Sequence, residues 1–581
     1  MSDAAGRITE ISGWVVRARA TTPLALREVV LIGHERLIGE VVGLERDEAT
    51  IQVYEETEGV APGDPLYATG QPLAIELGPG LLGGVFDGVQ RPLRRLADAE
   101  GDFIGRGTRL PALDRDALWD FTPAIEPGQD VREGDVLGRV METPALAHPI
   151  LVPPGVSGTV QWIAAAGPRR VADRVALLGD DRELTMLQTW RARVRRPVRD
   201  SLVPDAPLIT GQRVLDTFFP LARGGTAAMP GGFGTGKTVT QHQLCRWAEA
   251  DVILFVGCGE RGNEITQLVD ELPRLVDPRT QRLLAERSIL IANTSNMPVS
   301  AREASLFTGV TIGEYYRDLG YDVLLLADSI SRWAEALREI SGRLGEMPAE
   351  EGYPPYLSSA LAAFFERAGR AVTLSGGHGS LTIIGAISPP AGDLTEPVTR
   401  HAGRFVRTFW TLDRQLAAAR VFPAVSTRSS YSEVPAGVRT WWSERVSPRW
   451  AETREEAMKF LEEASLIEET ARLVGVDSLP ERERFVLRLA DAFQEGFLQQ
   501  NAYDAVDACC APARQFDLLE TFMRVRREGK DVDFSALQRM KMAPVILSEA
   551  KDPLPMHEAR SVGGGSFAVS AAQDDSEGHA P

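Results

Sequence analysis

Short runs of alternating apolar and polar residues occupy the first 75 positions of the chain. The clearest are REVVLIG at 27–33, LIGEVVG at 37–43 and ATIQVY at 49–54, and charged or glycine-containing turns separate them. A period of two places successive side chains on opposite faces of a strand. Short strands joined by frequent turns are typical of a small closed barrel, so we predict an N-terminal β-barrel over 1–75.

Glycine and proline punctuate the next segment, 76–112, with LGPGLLG at 77–83 and FDGVQRPL at 86–93. Such punctuation indicates a link into a new domain. A second strand-rich stretch follows at 113–188 and contains GDVLG at 134–138 and PPGVSGTV at 153–160. Its turns predict an inserted β-rich module.

The pattern changes between 189 and 435, where continuous apolar runs alternate with helical segments. The runs are VILFV at 252–256, SILIA at 288–292, DVLLL at 322–326 and LTIIG at 381–385. Strands that are apolar on both faces and alternate with helices are typical of a parallel sheet covered on both sides. We therefore predict a central α/β domain that combines 76–112 with 189–435.

Strand patterns stop at about residue 436. The sequence TREEAMKFLEE at 453–463 spaces its apolar residues as a helix does, which predicts a C-terminal helical domain over 436–540. From 541 to 581 there is no periodicity, and GGG occurs at 563–565. We expect this tail to be disordered.

Composition narrows the class of protein. With 44% hydrophobic and 25% charged residues, the chain resembles an ordinary soluble globular protein. No run approaches the roughly 20 apolar residues of a spanning helix, and the start lacks the apolar core of a secretory signal, so we expect a cytoplasmic location. The net charge of −18 disfavours a protein that follows nucleic acid, because phosphate backbones are also negative. The four cysteines have neither disulfide-framework nor zinc spacing.

A phosphate-binding loop is predicted by GGFGTGKT at 231–238, which stands between the apolar TAAM at 226–229 and a helical pattern from 239 to 247. Glycines let backbone N–H groups turn toward the phosphates. Lys237 is expected to reach the β and γ oxygens, and Thr238 to ligate Mg²⁺. The predicted nucleotide-binding residues here are Gly231, Gly232, Phe233, Gly234, Thr235, Gly236, Lys237, Thr238 and Val239.

Acidic residues follow two of the apolar runs. Asp328 ends YDVLLLAD at 321–328, and we predict that it holds the metal through water. Glu260 and Arg261 follow the run at 252–256, at the carboxyl edge of the sheet where α/β proteins bind ligands. We predict that Glu260 is the general base or orients the attacking water, and that Arg261 stabilises charge near the γ-phosphate.

These motifs resemble those of the catalytic A (alpha) subunits of V-type and archaeal-type rotary ATPases, including bacterial V/A-type ATP synthases. The module at 113–188 looks like the insertion that separates A subunits from F-type β subunits and from flagellar or secretion ATPases. Lys237 and Glu260 together favour the catalytic type of subunit. Further matching motifs are GERGNE at 259–264, NTSNMPV at 293–299, ADSISRWAEA at 327–336, SPPAGD at 388–393 and QQNA at 499–502.

The resemblance implies a RecA-like P-loop domain that binds ATP or ADP with Mg²⁺. It also implies that Phe422 and Tyr503 flank the adenine, where aromatic faces offer stacking, and that Arg332 supports the catalytic carboxylates. The sequence departs from the family at 424–428, where AVSTR replaces the usual Asn-Trp pair, and at Gly496 and Tyr503, where Asp and Phe are common.

An assembly is implied as well. Three A subunits would alternate with three B subunits in a ring, an arginine from B would complete each site, and central and peripheral stalk subunits would connect the ring to a membrane ion-translocating sector. The chain would be a peripheral protein at the cytoplasmic face, making ATP or hydrolysing it to pump H⁺ or Na⁺. Two alternatives are an RNA-tracking motor like the terminator Rho, disfavoured by the acidic charge, and a protein-export ATPase, disfavoured by the 113–188 insertion.

Overall fold

A computed structural model of the chain describes residues 4–101, 103–277, 280–529 and 533–542. The predicted tail at 541–581 therefore lies outside the described residues from 543 onward.

The N-terminal strands form the predicted barrel, which closes in the order β1-β2-β5-β4-β3-β6. Each strand turns one face inward, as the period-two pattern requires, and side chains such as Val16, Ile32 and Ile51 fill the interior. The strands are β1 (Gly6–Ser12), β2 (Val15–Ala20), β3 (Glu28–Ile32), β4 (Leu37–Glu45), β5 (Glu48–Val53) and β6 (Pro65–Pro72).

The link after the barrel contributes to the central domain. It contains β7 (Ala74–Leu77), β8 (Val85–Phe86) and α1 (Leu93–Glu100). The next eight strands form the inserted module as two four-stranded sheets, ordered β10-β13-β15-β16 and β12-β11-β9-β14. They are β9 (Leu118–Pro123), β10 (Asp130–Val131), β11 (Val136–Thr143), β12 (Leu146–Leu151), β13 (Gly158–Ile163), β14 (Gly167–Arg170), β15 (Arg174–Leu178) and β16 (Glu183–Thr185).

The chain then returns through β17, which pairs with β7, and forms the rest of the central α/β domain, including its large sheet. Its elements are β17 (Gln188–Arg191), β18 (Asp200–Leu202), α2 (Arg213–Phe218), β19 (Thr226–Pro230), α3 (Lys237–Trp247), β20 (Val252–Glu260), α4 (Gly262–Glu271), β21 (Ser288–Thr294), α5 (Val299–Asp318), β22 (Asp322–Asp328), α6 (Ile330–Leu344), α7 (Leu357–Phe365), β23 (Gly369–Val372), β24 (His378–Ile387), α8 (Pro397–Phe405), β25 (Thr408–Phe409), α9 (Arg414–Ala418) and β26 (Tyr431–Ser432).

The centre of this sheet is parallel, with β25, β19, β24, β22, β20, β21 and β8 in order. The four apolar runs predicted from sequence are β20, β21, β22 and β24, which are neighbours, and all but the ends of these strands are buried. The two-residue strand β8 extends the sheet beyond β21. Because parallel strands point the same way, the ends of β19, β20, β22 and β24 meet at one edge.

The C-terminal part is helical, as predicted. Its helices are α10 (Ala436–Arg445), α11 (Trp450–Val474), α12 (Glu481–Phe493), α13 (Pro512–Glu528) and α14 (Phe534–Arg539), and a π-helical turn at Gln494–Leu498 follows α12. Phe460, Phe493, Phe497 and Phe522 pack together in its core. None of the helices in the described ranges is both long enough and apolar enough to cross a membrane.

A buried polar cluster attaches the inserted module to α5, and we call it the module dock. The Glu142 carboxylate accepts the three backbone N–H groups of residues 80–82, at 2.8, 2.9 and 3.0 Å. It also pairs with His148 Nδ1 at 2.6 Å and accepts the Tyr316 hydroxyl at 2.9 Å. His148 Nε2 lies 2.7 Å from the Tyr315 hydroxyl. Burial alone would raise the pKa of Glu142, but His148 and the N–H groups hold that pKa below its ordinary value.

Candidate active site

The predicted phosphate loop connects β19 to α3 at the carboxyl edge of the sheet. β19 is buried along its whole length and ends at Pro230, which has no N–H to continue a ladder. Gly234 and Gly236 have φ of +79° and +81°, a region that favours glycine. Gly236 is the N-cap of α3 and has no side chain to cover the N–H groups at the helix start. Those N–H groups and the helix dipole are therefore available to an anion.

Two loop side chains have different environments. Thr235 is buried and donates its hydroxyl to the Gly232 carbonyl at 2.8 Å, so this side chain stabilises the loop itself. Phe233 is 88% exposed at the loop tip, and the Arg261 guanidinium lies 5.5 Å from the centroid of its ring. This cation–π contact places Arg261 beside the phosphate loop.

Lys237 extends from the first position of α3 toward the ends of two neighbouring strands. Its Nζ donates to Ser388 Oγ, just beyond β24, and lies 3.8 Å from Asp328 Oδ1, at the end of β22. The Asp328 side chain is 3% exposed, and Oδ1 has no hydrogen-bond partner among the described residues. A buried carboxylate oxygen in this condition is ready to accept a further ligand or a water.

Glu260 reaches the same edge from β20. Gly259 before it has φ of +72°, and the pairing of β20 with β21 shifts register between Cys258 and Glu260. This bulge turns the strand end, and a Cβ at Gly259 would come within 2.8 Å of Arg332 Cβ and 2.9 Å of Arg302 Cδ.

The electrostatics of the edge are those of clustered carboxylates. Burial and then the charge of Asp328 raise the pKa of Glu260 to about 7, and the nearby Lys237 ammonium opposes that rise. Burial also raises the pKa of Asp328, and Glu264 on α4 adds to both shifts. A carboxylate with a pKa near neutrality can take up and release a proton at physiological pH.

Arg332 is on the first turn of α6, and the aliphatic part of its side chain lies beside Gly259. Its guanidinium is bonded to Glu335 at 3.0 and 2.8 Å. The structure therefore brings Arg332 close to Gly259 and Glu260, with its charged end engaged by a neighbour on the same helix.

The two aromatic residues predicted for adenine are positioned differently. Phe422 is 38% exposed, and its ring abuts the phosphate loop, since a Cβ at Gly236 would lie 3.1 Å from the ring carbons Cδ1 and Cε1. The Phe422 carbonyl accepts the Gln500 N–H at 2.8 Å, which joins it to the segment that carries Tyr503. The Tyr503 ring itself is 85% exposed.

Models of known protein families match this chain from the barrel to the C-terminal helices. Four family models match in order: the ATP synthase alpha/beta family beta-barrel domain at 8–70, the ATPsynthase alpha/beta subunit barrel-sandwich domain at 110–194, the ATP synthase alpha/beta family nucleotide-binding domain at 211–432, and the C-terminal domain of V and A type ATP synthase at 439–539.

Relatives with high identity decide the family. The chain is 54% identical over 532 residues to the A subunit of the A-type ATP synthase of Methanopyrus kandleri, with 90% of each chain covered. This chain belongs to the family of A-type ATP synthase A subunits. It is also 50% identical over 528 residues to the relative from Thermococcus sibiricus, with 90% of each covered, and 51% identical over 561 residues to that from Thermococcus onnurineus, with 93% of this chain and 96% of the relative covered.

A solved structure supports the fold of this member of the A-type ATP synthase family. The assembled ATPase EscN of the enteropathogenic E. coli type III secretion system matches with a TM-score of 0.63 at 23% identity, covering 90% of this chain and 99% of that one. At this identity the likeness concerns the fold alone.

Ser388 and Glu264 also lie at the site of this A-type ATP synthase family member, although the sequence motifs gave them no role. Ser388 accepts from Lys237 and donates its N–H to Ser331 Oγ at 2.8 Å. The available signal was its position directly after an apolar strand, the same signal that drew attention to Asp328.

Proposed function

We propose that this chain is the catalytic nucleotide-binding subunit of a rotary A-type ATP synthase. It would make ATP from ADP and phosphate with a transmembrane ion gradient, or hydrolyse ATP to pump ions. The observation that carries this proposal is the placement of Glu260, Asp328 and Lys237 at one sheet edge beside an intact phosphate loop.

The roles follow from the positions. The loop N–H groups and Lys237 bind the phosphates, and Lys237 leaves Ser388 and turns to the nucleotide when it enters. Glu260 orients the attacking water and accepts its proton, because the raised pKa makes the carboxylate a better base than an ordinary glutamate. Arg261 is near enough to the loop to stabilise charge that develops on the γ-phosphate.

Mg²⁺ fits the donor set as a nucleotide-bound ion. Among the described residues, no three His, Cys, Asp or Glu side chains are grouped as a protein-only metal site. Asp328 offers a buried carboxylate oxygen without a hydrogen-bond partner, and Thr238 offers a hydroxyl one residue after Lys237. Mg²⁺ usually keeps several waters and is bound by few protein groups together with phosphates, and it would neutralise phosphate charge here.

As a member of the ATP synthase family, the chain belongs to a multisubunit complex. We propose that it alternates with B subunits in a three-by-three ring at the cytoplasmic face of the membrane, and that central and peripheral stalk proteins connect it to the ion-translocating sector. The exposure of Phe233 at the loop tip supports a site that a neighbouring protein of the ring covers. An arginine from that neighbour would add roughly 10³ to 10⁵ in rate.

Substitution of Glu260 tests the function. In the assembled complex, Glu260→Gln should retain ATP binding while hydrolysis falls by about 10² to 10⁴, because the phosphate loop is intact but the water is no longer activated. Lys237→Ala should weaken binding itself. Glu271→Gln, at the far end of α4 and bonded to Gln267, is the matched control and should behave as wild type.

Multi-site hydrolysis at the wild-type rate in Glu260→Gln would contradict the assigned base. An ATPase activity of the purified chain that RNA stimulates in a salt-dependent way would instead favour an RNA-tracking motor.

A further inference from the structure

The base side of the proposed site, formed by the Phe422 ring against Gly236, is connected by hydrogen bonds to the C-terminal helical part. The connecting piece is the segment 497–510, which runs from the end of the π-helical turn to just before α13. Gln500 donates its backbone N–H to the Phe422 carbonyl at 2.8 Å. Gln499 Nε2 reaches the Arg420 carbonyl at 3.5 Å. The position of Phe422 is therefore coupled to that of the 497–510 segment.

Arg213 holds that segment in place. It is the first residue of α2, its side chain is 1% exposed, and each nitrogen of its guanidinium donates to a different group of the segment. Nε donates to the Phe497 carbonyl, Nη1 to Asp507 Oδ1 and Nη2 to the Gln499 carbonyl, all at 2.7 Å. A planar fork used in this way fixes orientation as well as distance.

Gln500 completes the connection between α2 and Phe422. Its side-chain oxygen accepts the Arg213 backbone N–H at 2.9 Å, and its Nε2 donates to the Gly211 carbonyl at 2.8 Å. One residue thus bonds α2 through its side chain and Phe422 through its backbone. Asp507, fully buried, also accepts the Asn501 N–H at 2.8 Å, so the middle of the segment is held from both sides.

A second arginine provides a comparison within the same interface. Arg454 on α11 donates Nε to the Thr217 carbonyl at 3.0 Å and Nη2 to the Phe218 carbonyl, so it joins the helical part to the other end of α2. These bonds do not involve 497–510. Arg454 therefore joins the two parts of the chain without a direct link to Phe422.

We propose that Arg213, acting through Gln500, is a positioning residue for the base side of the nucleotide site. It sets the distance between the Phe422 ring and the phosphate loop, and it makes base affinity depend on the placement of the C-terminal helical part. The inference rests on the proposed nucleotide site and adds to it a residue that contacts neither phosphate nor base.

The test compares two ligands on the full chain. Tripolyphosphate with Mg²⁺ probes the phosphate side alone, and ATP with Mg²⁺ probes both sides. The variants are Arg213→Lys, the matched Arg454→Lys, and Phe422→Ala as the direct loss of the base contact. Lysine retains the charge beside Asp507 but donates from a single nitrogen, so it cannot reproduce the planar fork that spans three separate acceptors.

We expect Arg213→Lys to raise the Kd for ATP about tenfold and to leave the Kd for tripolyphosphate within about twofold of wild type. Phe422→Ala should do the same, and Arg454→Lys should change neither Kd. Unchanged tripolyphosphate binding also shows that the phosphate loop has folded in each variant. Gln500→Met is a milder second variant and should shift the ATP Kd in the same direction.

The proposal is overturned if Arg213→Lys leaves ATP affinity unchanged, weakens both ligands equally, or is matched by Arg454→Lys. It is also overturned if Phe422→Ala has no effect on ATP affinity. A wild-type chain that binds neither ligand would instead contradict the proposed function, so the two failures are distinguishable.

Discussion

Two glutamates show how the same side chain serves different purposes in this molecule. Glu142 lies in the module dock, where backbone N–H groups, His148 and a tyrosine hydroxyl satisfy its carboxylate, and its pKa is held low. Glu260 lies at the sheet edge beside Asp328, and its pKa is raised to about 7.

The difference lies in what the protein supplies to each carboxylate. When the partners of a buried charge are all in place the fold tolerates it, and removal of one partner is costly because the other polar groups are left unsatisfied. A carboxylate crowded by another carboxylate costs stability until a ligand, a metal or a proton arrives. We therefore assign Glu142 to attachment of the inserted module and propose Glu260 for the chemistry, and three experiments test this contrast.

Of these three experiments, the one at the sheet edge should have the greatest effect, and that effect is on turnover. Asp328→Asn should lower hydrolysis by the assembled complex about 10- to 100-fold and raise the Mg²⁺ concentration needed for half-maximal rate, because the variant loses the charge that we propose for the Mg²⁺ site. Steady-state hydrolysis across a Mg²⁺ titration measures both.

Asp322→Asn is the control for this prediction, at the other end of β22. Its carboxylate is occupied by Ser380 at 2.6 Å and Arg223 at 2.9 Å, away from the phosphate loop. If Asp322→Asn raised the Mg²⁺ requirement as much as Asp328→Asn, the effect would not be specific to the carboxyl end of β22, and the metal role proposed for Asp328 would be contradicted.

A smaller effect, on stability, is expected at the module dock. Glu142→Gln should destabilise the docked module by about 2–3 kcal/mol, because it leaves His148 and three backbone N–H groups with a weaker acceptor. Thermal unfolding and limited proteolysis would detect this, while ATP affinity should be retained. Glu183→Gln, an exposed residue paired with Arg174 at 2.9 Å in the same module, should change stability by less than about 1 kcal/mol. Lost nucleotide binding with an unchanged melting temperature in Glu142→Gln would contradict the assignment.

Sequence predicted the sheet edge better than the dock, for a physical reason. The phosphate loop is a contiguous motif, and Asp328 and Glu260 follow apolar runs that the pattern predicts to be strands of one parallel sheet, whose carboxyl ends share an edge. The module dock instead joins Glu142 to Tyr316, 174 positions apart, through a local sequence with no periodicity to reveal it. The same applies to β8, whose two residues carry no strand pattern yet extend the large sheet.

Within the candidate site, the directions of the side chains could not be predicted from the sequence either. The motif predicted that both Thr235 and Phe233 bind nucleotide. In the structure Thr235 is buried in the loop, whereas Phe233 is 88% exposed. The loop takes its conformation from the positive φ of Gly234 and Gly236, and in it Thr235 bonds the Gly232 carbonyl. The role of Arg213 could not be predicted from the sequence, because its hydrogen-bond partners lie almost 300 positions later in the chain.

The smallest predicted effect distinguishes the two glutamates by pH. The folded pKa of Glu260, about 7, lies above its ordinary value of 4.5. Between those values the folded chain holds a proton that the unfolded chain has released, so stability falls as pH rises through this window. Glu260→Gln removes that dependence, and its stability relative to wild type should therefore increase by about 1 kcal/mol from pH 5 to pH 8, discounted for partial exposure of the carboxylate.

Glu142 should behave in the opposite way. Its folded pKa is lowered, so its contribution is fully present above 4.5 and disappears only as pH falls through the lowered folded pKa. The destabilisation by Glu142→Gln should therefore shrink as the solution becomes acidic enough to protonate the Glu142 carboxylate. Melting temperatures of both variants and wild type from about pH 3 to pH 8, without nucleotide, measure the two trends together. Parallel curves for the two variants would show that burial and the charges of Asp328 and Glu264 do not raise the pKa of Glu260, and the electrostatic argument for its role as the base would be lost.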